Sequence, residues 1–487
     1  MAISDVNRCQ HVVARPGCAC CTAEVRVLTR RVNADLSRRG FMAGTSASVA
    51  LLGIAAYAPA MAQAVDPEKV TLFTNVRLFD GLALKTRDGM SVLVVDGMIA
   101  DVVQGALSAP DGATVIDGGG RTLMPGLIDA HWHTMMASLP ISTMMTAELA
   151  DIHFASAKQA ERTLMRGFTT VRDAGGPAFA LKRAIDSGAV IGPRIYPSGA
   201  MISQTSGHGD FRNIWELPRV AGSLQRAEVL GAARIADGRD AVLQATREQL
   251  MQGATQIKIV AGGGASSLYD PLDTLQLLPE EIEAAVLATA DWGTYVMAHV
   301  YTPKGIQRCL KAGVKCIEHG QLTDEDSVKM IADAGAVWSL QPFASELDDI
   351  TSVAPERLAK KRQLWEGTDT AYLLAVKHGV PTGWGSDILF DAKASERQGE
   401  TLAYIKRWYT PAQALVQATS QNAFILNMSG PRNPYPGVIG VIQKGAHADM
   451  ILCEGNPTEM LDLVADPDTN FRVIMKAGTV YKNTLAA

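Results

Sequence analysis

The stretch Pro125-Gly126-Leu127-Ile128-Asp129-Ala130-His131-Trp132-His133 reads as a turn, a short apolar run and two histidines spaced i, i+2. Side chains two apart on a strand point to one face. Both imidazoles can therefore reach one point at the strand's C-terminal end, as nitrogen ligands to one metal ion must. A bare His-x-His is as readily two unrelated polar residues. The turn and apolar run before it favour the ligand reading, and so do four partners further along. These are Lys258 between Ile257 and Ile259, His299 after Met297-Ala298, His319 after Ile317-Glu318, and Asp387 after Gly385-Ser386. Lys258 is the telling one, because an ammonium buried without a partner is costly.

These residues need elements that bring them together. From residue 125 a helical stretch repeatedly ends at a glycine and a short apolar strand follows. The glycines are Gly167, Gly253, Gly293, Gly313, Gly335 and Gly379. Glycine just past a helix end is the left-handed cap. Helices alternating with buried strands predict parallel βα units. With strands at 127–130 and 194–198 the count is eight, so the fold class is α/β, a (β/α)8 TIM-type barrel. Chemistry in such barrels sits at the C-terminal ends of the strands. That rim would carry His131 and His133 (strand 1), Lys258 (strand 4), His299 (strand 5), His319 (strand 6) and Asp387 (strand 8). A last helix is predicted to start at Thr410, with Pro411 at its first position and Gln413 closing a capping box. The segments before and after the barrel read as β-rich, with turn pairs such as Asp80-Gly81 and Asp96-Gly97. The predicted order is 63–124 as one part of a small β-sandwich, 125–429 as the barrel, and 430–487 as the sandwich's second part.

The chain has 487 residues, 47% of them hydrophobic, a mean hydropathy of +0.07 and a net charge of −5. It is long enough for one large domain plus a small one. Nothing in its charge suggests a nucleic-acid partner, which calls for a basic patch. Residues 1–62 read differently. Arg38-Arg39, an apolar run and Ala60-Met61-Ala62 make a twin-arginine export signal with its cleavage site, and residues 1–36 before it suggest an over-long start. The expected location is periplasmic or secreted, with no stable membrane insertion after cleavage. Beyond that segment only Cys309, Cys316 and Cys453 remain, which do not suggest a disulfide framework. His153 and His378 fall in helical stretches, His447 in a turn, and His11 before the signal.

From about residue 68 to 485 the chain resembles the amidohydrolase superfamily. The matching pieces are the 125–133 stretch, Lys258, Ala298-His299-Val300-Tyr301, Ile317-Glu318-His319-Gly320 and Gly385-Ser386-Asp387. The resemblance implies two zinc ions, or other divalent metals, bridged by a CO2-derived carbamate on Lys258. His131, His133 and Asp387 would hold the more buried metal, and His299 and His319 the other. Metal lowers the pKa of bound water to roughly 7, so a bridging hydroxide is available as nucleophile. Asp387 would take its proton and pass it to the departing amine.

Within the superfamily the chain is similar to the prolidase-like branch, which includes Xaa-Pro dipeptidases and bacterial enzymes that hydrolyse ochratoxin A. The pieces that carry this are Ser203-Gln204-Thr205-Ser206-Gly207-His208-Gly209-Asp210, Ala261-Gly262-Gly263-Gly264 and Tyr301. The expected partner is therefore a small amide or dipeptide whose amine side is a C-terminal amino acid. His208 and Tyr301 are the candidate substrate contacts, since both can donate to a carbonyl or carboxylate. Asp173, ending strand 2, either lines the pocket or orders its rim. Trp132, Met135, Met136, Leu139 and Ile141 either accommodate an acyl group or belong to the core. Relatives of this kind are often homo-oligomers, including octamers, so one is expected here. Two rival readings stand beside this one: a mononuclear deaminase on the same barrel, and a catalytically inactive binding protein of this fold.

Overall fold

The computed structural model describes residues 69–217, 222–348 and 353–485. The expected export signal, its cleavage site and the four cysteines preceding it lie outside the described residues. Among the described residues no helix is long and apolar enough to cross a membrane.

Strands and helices alternate from residue 127 onward. The barrel strands are β1 (Leu127–Trp132), β2 (Phe168–Asp173), β3 (Arg194–Pro197), β4 (Ile257–Val260), β5 (Val296–Val300), β6 (Cys316–His319), β7 (Val337–Leu340) and β8 (Thr382–Trp384). Between them run α1 (Leu149–Met165), α2 (Phe179–Asp186), α3 (Arg239–Gln252), α4 (Pro279–Asp291), α5 (Pro303–Lys311), α6 (Glu325–Asp333) and α7 (Pro355–His378). All six glycines expected after helix ends have positive φ, from 56° at Gly335 to 102° at Gly253. The later helix also starts where expected. Thr410 accepts from Gln413 N, and Gln413 Oε1 accepts from Thr410 N.

The strand ladder departs from a single eight-stranded ring. Strands β1–β3 form one parallel sheet, and β4–β8 form a second. After β3 the chain makes a short strand, Met201–Ser203, that takes the place beside β4 through Ile202 and Ile259. Ala233–Ile235 pairs on its outer edge. Specific hydrogen bonds close both seams. Between β3 and β4, Thr255 N donates to Pro197 O at 2.8 Å, and Gln256 Nε2 donates to Tyr196 O at 2.9 Å. Between β8 and β1, Asp387 N donates to His131 O at 2.8 Å. There Asn422, at the start of α8 (Asn422–Asn427), donates its buried Nδ2 to both Ile128 O and Trp384 O, each at 2.7 Å.

The two chain ends join, as expected for the small β domain, through one continuous sheet. Val70–Leu78 pairs with Arg87–Val95, Thr114–Asp117 and Thr122–Pro125. Thr122–Pro125 then pairs antiparallel with Met450–Cys453. That one ladder links everything into a single eight-stranded sheet. Phe73, Val92, Ile116, Leu452 and Val473 from this sheet share one buried core. Thr122–Pro125 is buried at every position, so it shows no alternation by which it could be read from the sequence. It runs directly through Gly126 into β1, and Gly126 N donates to Asp449 O. The end sheet thereby fixes where the first metal-ligand strand begins.

Asn422→Ala should leave the carbonyls of Ile128 and Trp384 buried without a donor. Each such loss costs about 1–3 kcal/mol. We expect a denaturation midpoint shifted to match, with activity falling in parallel as the β8–β1 seam loosens. An unchanged midpoint would show that the seam does not depend on this amide.

Candidate metal centre

Three ligand-type atoms from His131, His133 and Asp387 lie within 4.8 Å of one another. His131 Nε2 is 3.2 Å, and His133 Nε2 3.1 Å, from Asp387 Oδ1. Lys258 Nζ lies 3.4 Å from His131 Nε2. The ring centroids of His131 and His319 are 4.8 Å apart, and those of His299 and His319 4.5 Å. The structure thus brings all six residues singled out by sequence to one mouth of the strand array. They line a cavity of about 480 Å³.

The histidines are oriented from outside. His131 Nδ1 lies 2.5 Å from Glu318 Oε2, His133 Nδ1 3.3 Å from Gly175 O, and His319 Nδ1 2.8 Å from Gln341 Oε1. In His299 it is Nε2 that bonds outward, 3.1 Å from Gly263 O. A ring nitrogen that donates outward leaves a lone pair on the other for a metal. Burial lowers the pKa of His133, His299 and His319, which keeps these rings neutral near pH 7 as ligands must be. For Asp387, burial acts upward, but His131, His133 and His319 outweigh it and hold the carboxyl well below its usual range. Burial also pushes the Lys258 ammonium down, against the attraction of Glu318 and Asp387. Lys258 is 2% exposed and no carboxylate lies within ion-pair distance among the described residues. It is a buried amine in want of charge compensation.

Two of the six sit on strained backbone. His319 and Asp387 have φ of 73° and 53°. Non-glycine residues hold such angles only where surrounding contacts over-determine them. Trp338 Nε1 fixes the His319 carbonyl at 2.7 Å. Asp387 is fixed through its N–H to His131 O, and its neighbour Ser386 through Asp129.

Sequence reading passed over the residues that carry this arrangement. Glu318 is fully buried and also accepts from Arg172 Nη2 at 2.6 Å and Cys316 Sγ at 2.9 Å. Burial would raise its pKa, but Arg172 and His131 prevail and keep it well below its usual value. Arg172 Nε donates to Ala130 O at 2.5 Å. Asp129 accepts from His131 N, Ser386 N, Ser386 Oγ and Gln398 Nε2, so it couples the two ligand loops. The available signal was the charge itself. Arg172 and Glu318 each stand inside a short buried strand, where an ion needs a partner.

His208 and Tyr301 both line the cavity. His208 stacks on His299 at 4.4 Å, and its Nδ1 lies 2.6 Å from Ser267 Oγ and 3.6 Å from Asp270 Oδ2. A Cβ on Gly264 would fall 2.0 Å from the His208 ring, so only glycine admits this approach. Tyr301 lies edge-on to His299 at 4.9 Å, and burial raises its phenol well above the usual range. Asp173 accepts from Thr134 N and Gly175 N, so it orders the rim. Of the proposed acyl-binding loop, Trp132, Met135 and Met136 are fully buried in a core cluster, whereas Ile141 reaches the cavity. The apolar wall comes instead from residues such as Phe211, Phe343, Leu364 and Trp365.

Residues 122–483 match the family described as the amidohydrolase family. The chain is 32% identical over 376 residues to an ochratoxinase of Aspergillus niger, covering 74% of this chain and 75% of that protein. A prolidase solved with N-methylphosphonate-L-proline superposes with a TM-score of 0.77 at 33% identity, covering 85% of this chain and all of that one. The A. niger ochratoxinase structure gives 0.75 at 27% identity, covering 86% of this chain and 96% of that one. The matched region spans every strand end that carries the six converging residues. The chain belongs to the amidohydrolase family and is a hydrolase acting on C–N bonds.

Proposed function

We propose that this protein is a binuclear metal amidohydrolase that cleaves an amide whose amine side is a C-terminal amino acid. The observation that carries the reading is Lys258, a buried amine 3.4 Å from His131 Nε2 with no carboxylate in ion-pair contact among the described residues. The ammonium first loses one proton; the neutral amine then joins Nζ to CO2 and releases a second, so an unfavourable cation becomes an oxygen-donor anion. The donor set of four histidines, one carboxylate and one such anion suits two zinc ions. When bound, the metals supply a hydroxide nucleophile near neutral pH and polarise the scissile carbonyl.

The chain's own residues do the rest. Asp387, kept ionised by its histidine neighbours, receives the nucleophile's proton and returns one to the leaving nitrogen. His208 has Nδ1 held by Ser267 and Nε2 3.4 Å from Ser266 Oγ; Nε2 would exchange that long contact for a carbonyl or carboxylate oxygen. Tyr301 stays a neutral donor. The cavity has an apolar wall and charged side chains of both signs, and suits a ligand with a hydrophobic acyl group and a polar end. The two kinds of relative named above, ochratoxinase and prolidase, support the substrate class. The lead substrates are N-acyl-phenylalanines of the ochratoxin A type and Xaa-Pro dipeptides. On the strength of the Arg38-Arg39 segment we place the reaction in the periplasm or outside the cell.

Incubation with ochratoxin A, N-acyl amino acids and Xaa-Pro dipeptides should release a free amino acid from at least one of them, and chelation should stop it. Ammonia release from purines or pyrimidines instead would point to a deaminase. Lys258→Ala should abolish turnover and lower the metal bound per chain; full activity would defeat the carbamate assignment. Asp387→Asn should fold normally but lose about 10²–10⁴ in kcat, the range for a proton-transfer group. An active variant would remove Asp387 from proton transfer.

A further inference from the structure

Four lysine and arginine side chains line the cavity: Lys258, Arg357, Lys361 and Arg397. Three have a clear assignment. Lys258 belongs to the metal centre. Lys361 Nζ lies 2.6 Å from Asp348 Oδ1, and Arg397 Nη2 2.7 Å from Glu400 Oε2. Arg357 is different. Among the described residues it has no ion pair and no hydrogen bond, and its Nε is buried with no partner at all. Burial alone lowers its pKa, with no anion opposing it. It also occupies the first turn of α7, after Ala354 and Pro355. A cation there faces the positive end of the helix dipole. Desolvation, dipole and lack of a partner all work against Arg357 in the free protein.

The turn that presents Arg357 is nevertheless held firmly. Lys360, one helical step away on the same side, donates to the carbonyls of Gly264, Ser267 and Asp270 at 3.0, 3.1 and 2.7 Å. This is the loop after β4 whose Gly264 packs against His208 and whose Ser267 bonds it. The start of α7 and the His208 edge of the cavity are therefore one rigid unit. A guanidinium offers a planar fork of donors that matches a carboxylate.

We propose that Arg357 is the specificity residue that binds the free α-carboxylate of the substrate's amine-side amino acid. The assignment rests on the substrate class proposed above. It adds that recognition requires the free acid, and that Arg357 enforces this. The phenyl or pyrrolidine side of the amino acid would then lie against the neighbouring apolar wall.

The test compares N-benzoyl-L-phenylalanine with N-benzoyl-L-phenylalaninamide, which differ only in the terminal carboxylate. The metal-loaded wild type, R357Q and R357K are measured for kcat and KM, and for binding of both compounds by calorimetry. The wild type should prefer the acid, and R357Q should lose about 10- to 100-fold of that preference, the scale of a charged hydrogen bond. The loss should appear in KM and in calorimetric affinity more than in kcat, and R357K should recover part of it. Unchanged metal content and melting temperature would exclude misfolding. If R357Q keeps the wild-type ratio of acid to amide, or if the wild type binds the two equally, the proposal is overturned. If the wild type binds the acid selectively but hydrolyses neither compound, the proposed reaction fails and the carboxylate site stands.

Discussion

A carboxylate sealed from water, Glu318, ties together the strands that carry the chemistry. It stands on β6 and pairs with Arg172 on β2, while its second oxygen holds the Nδ1 edge of His131 on β1. Arg172 in turn reaches the backbone of β1 at Ala130. The neighbouring strands β1 and β2 are thus joined through one buried anion to β6 in the other sheet. Removing either partner of such a pair strands a charge and typically costs about 3–5 kcal/mol. A hydrophobic core would hold the strands as well, but it would not fix which nitrogen of His131 is free. The ion pair does both, and ligand geometry and barrel stability therefore rest on the same contacts.

Around that anchor the structure concentrates unfavourable features at one rim. Lys258 is an amine stripped of water, and His319 and Asp387 hold left-handed backbone. Each is costly alone, and strained or unpaired groups tend to gather where a site is pre-organised for a ligand. Cations bound there, as proposed, would change the balance. Neutral imidazoles gain an acceptor for their lone pairs, and the anionic groups gain a counter-charge. Arg357 is the counterpart at the substrate end, a cation that awaits an anion. On the proposed reading the cavity meets two electrostatic demands, one for metals and one for a carboxylate, with an apolar wall nearby.

The barrel and the six converging side chains were legible from sequence because their signals are local. Glycine after a helix end, a short apolar strand, and a polar residue at the strand's end recur in register, and each depends on a few neighbouring residues. The end sheet was only partly legible. Thr122–Pro125 is buried on both faces and carries no alternation, so the strand that welds the two chain ends into one sheet gave no period to read. Glu318, Asp129 and Arg357 were hidden for another reason. Their roles lie in partners 146, 257 or more positions away, or in the absence of any partner. Pairing of that kind is a tertiary fact. The Met-rich loop after β1 could be read either way, because apolar composition looks the same in a core and in a pocket wall; Trp132, Met135 and Met136 belong to the core.

We propose that a carbamate on Lys258 completes a site for two metals. Metal uptake by the stripped protein, measured by elemental analysis with zinc in buffers with and without bicarbonate, tests it most directly. Two ions per chain with bicarbonate, and fewer in CO2-free buffer, are the expected result. Equal uptake in both buffers, or no more than one ion per chain with bicarbonate present, would contradict it.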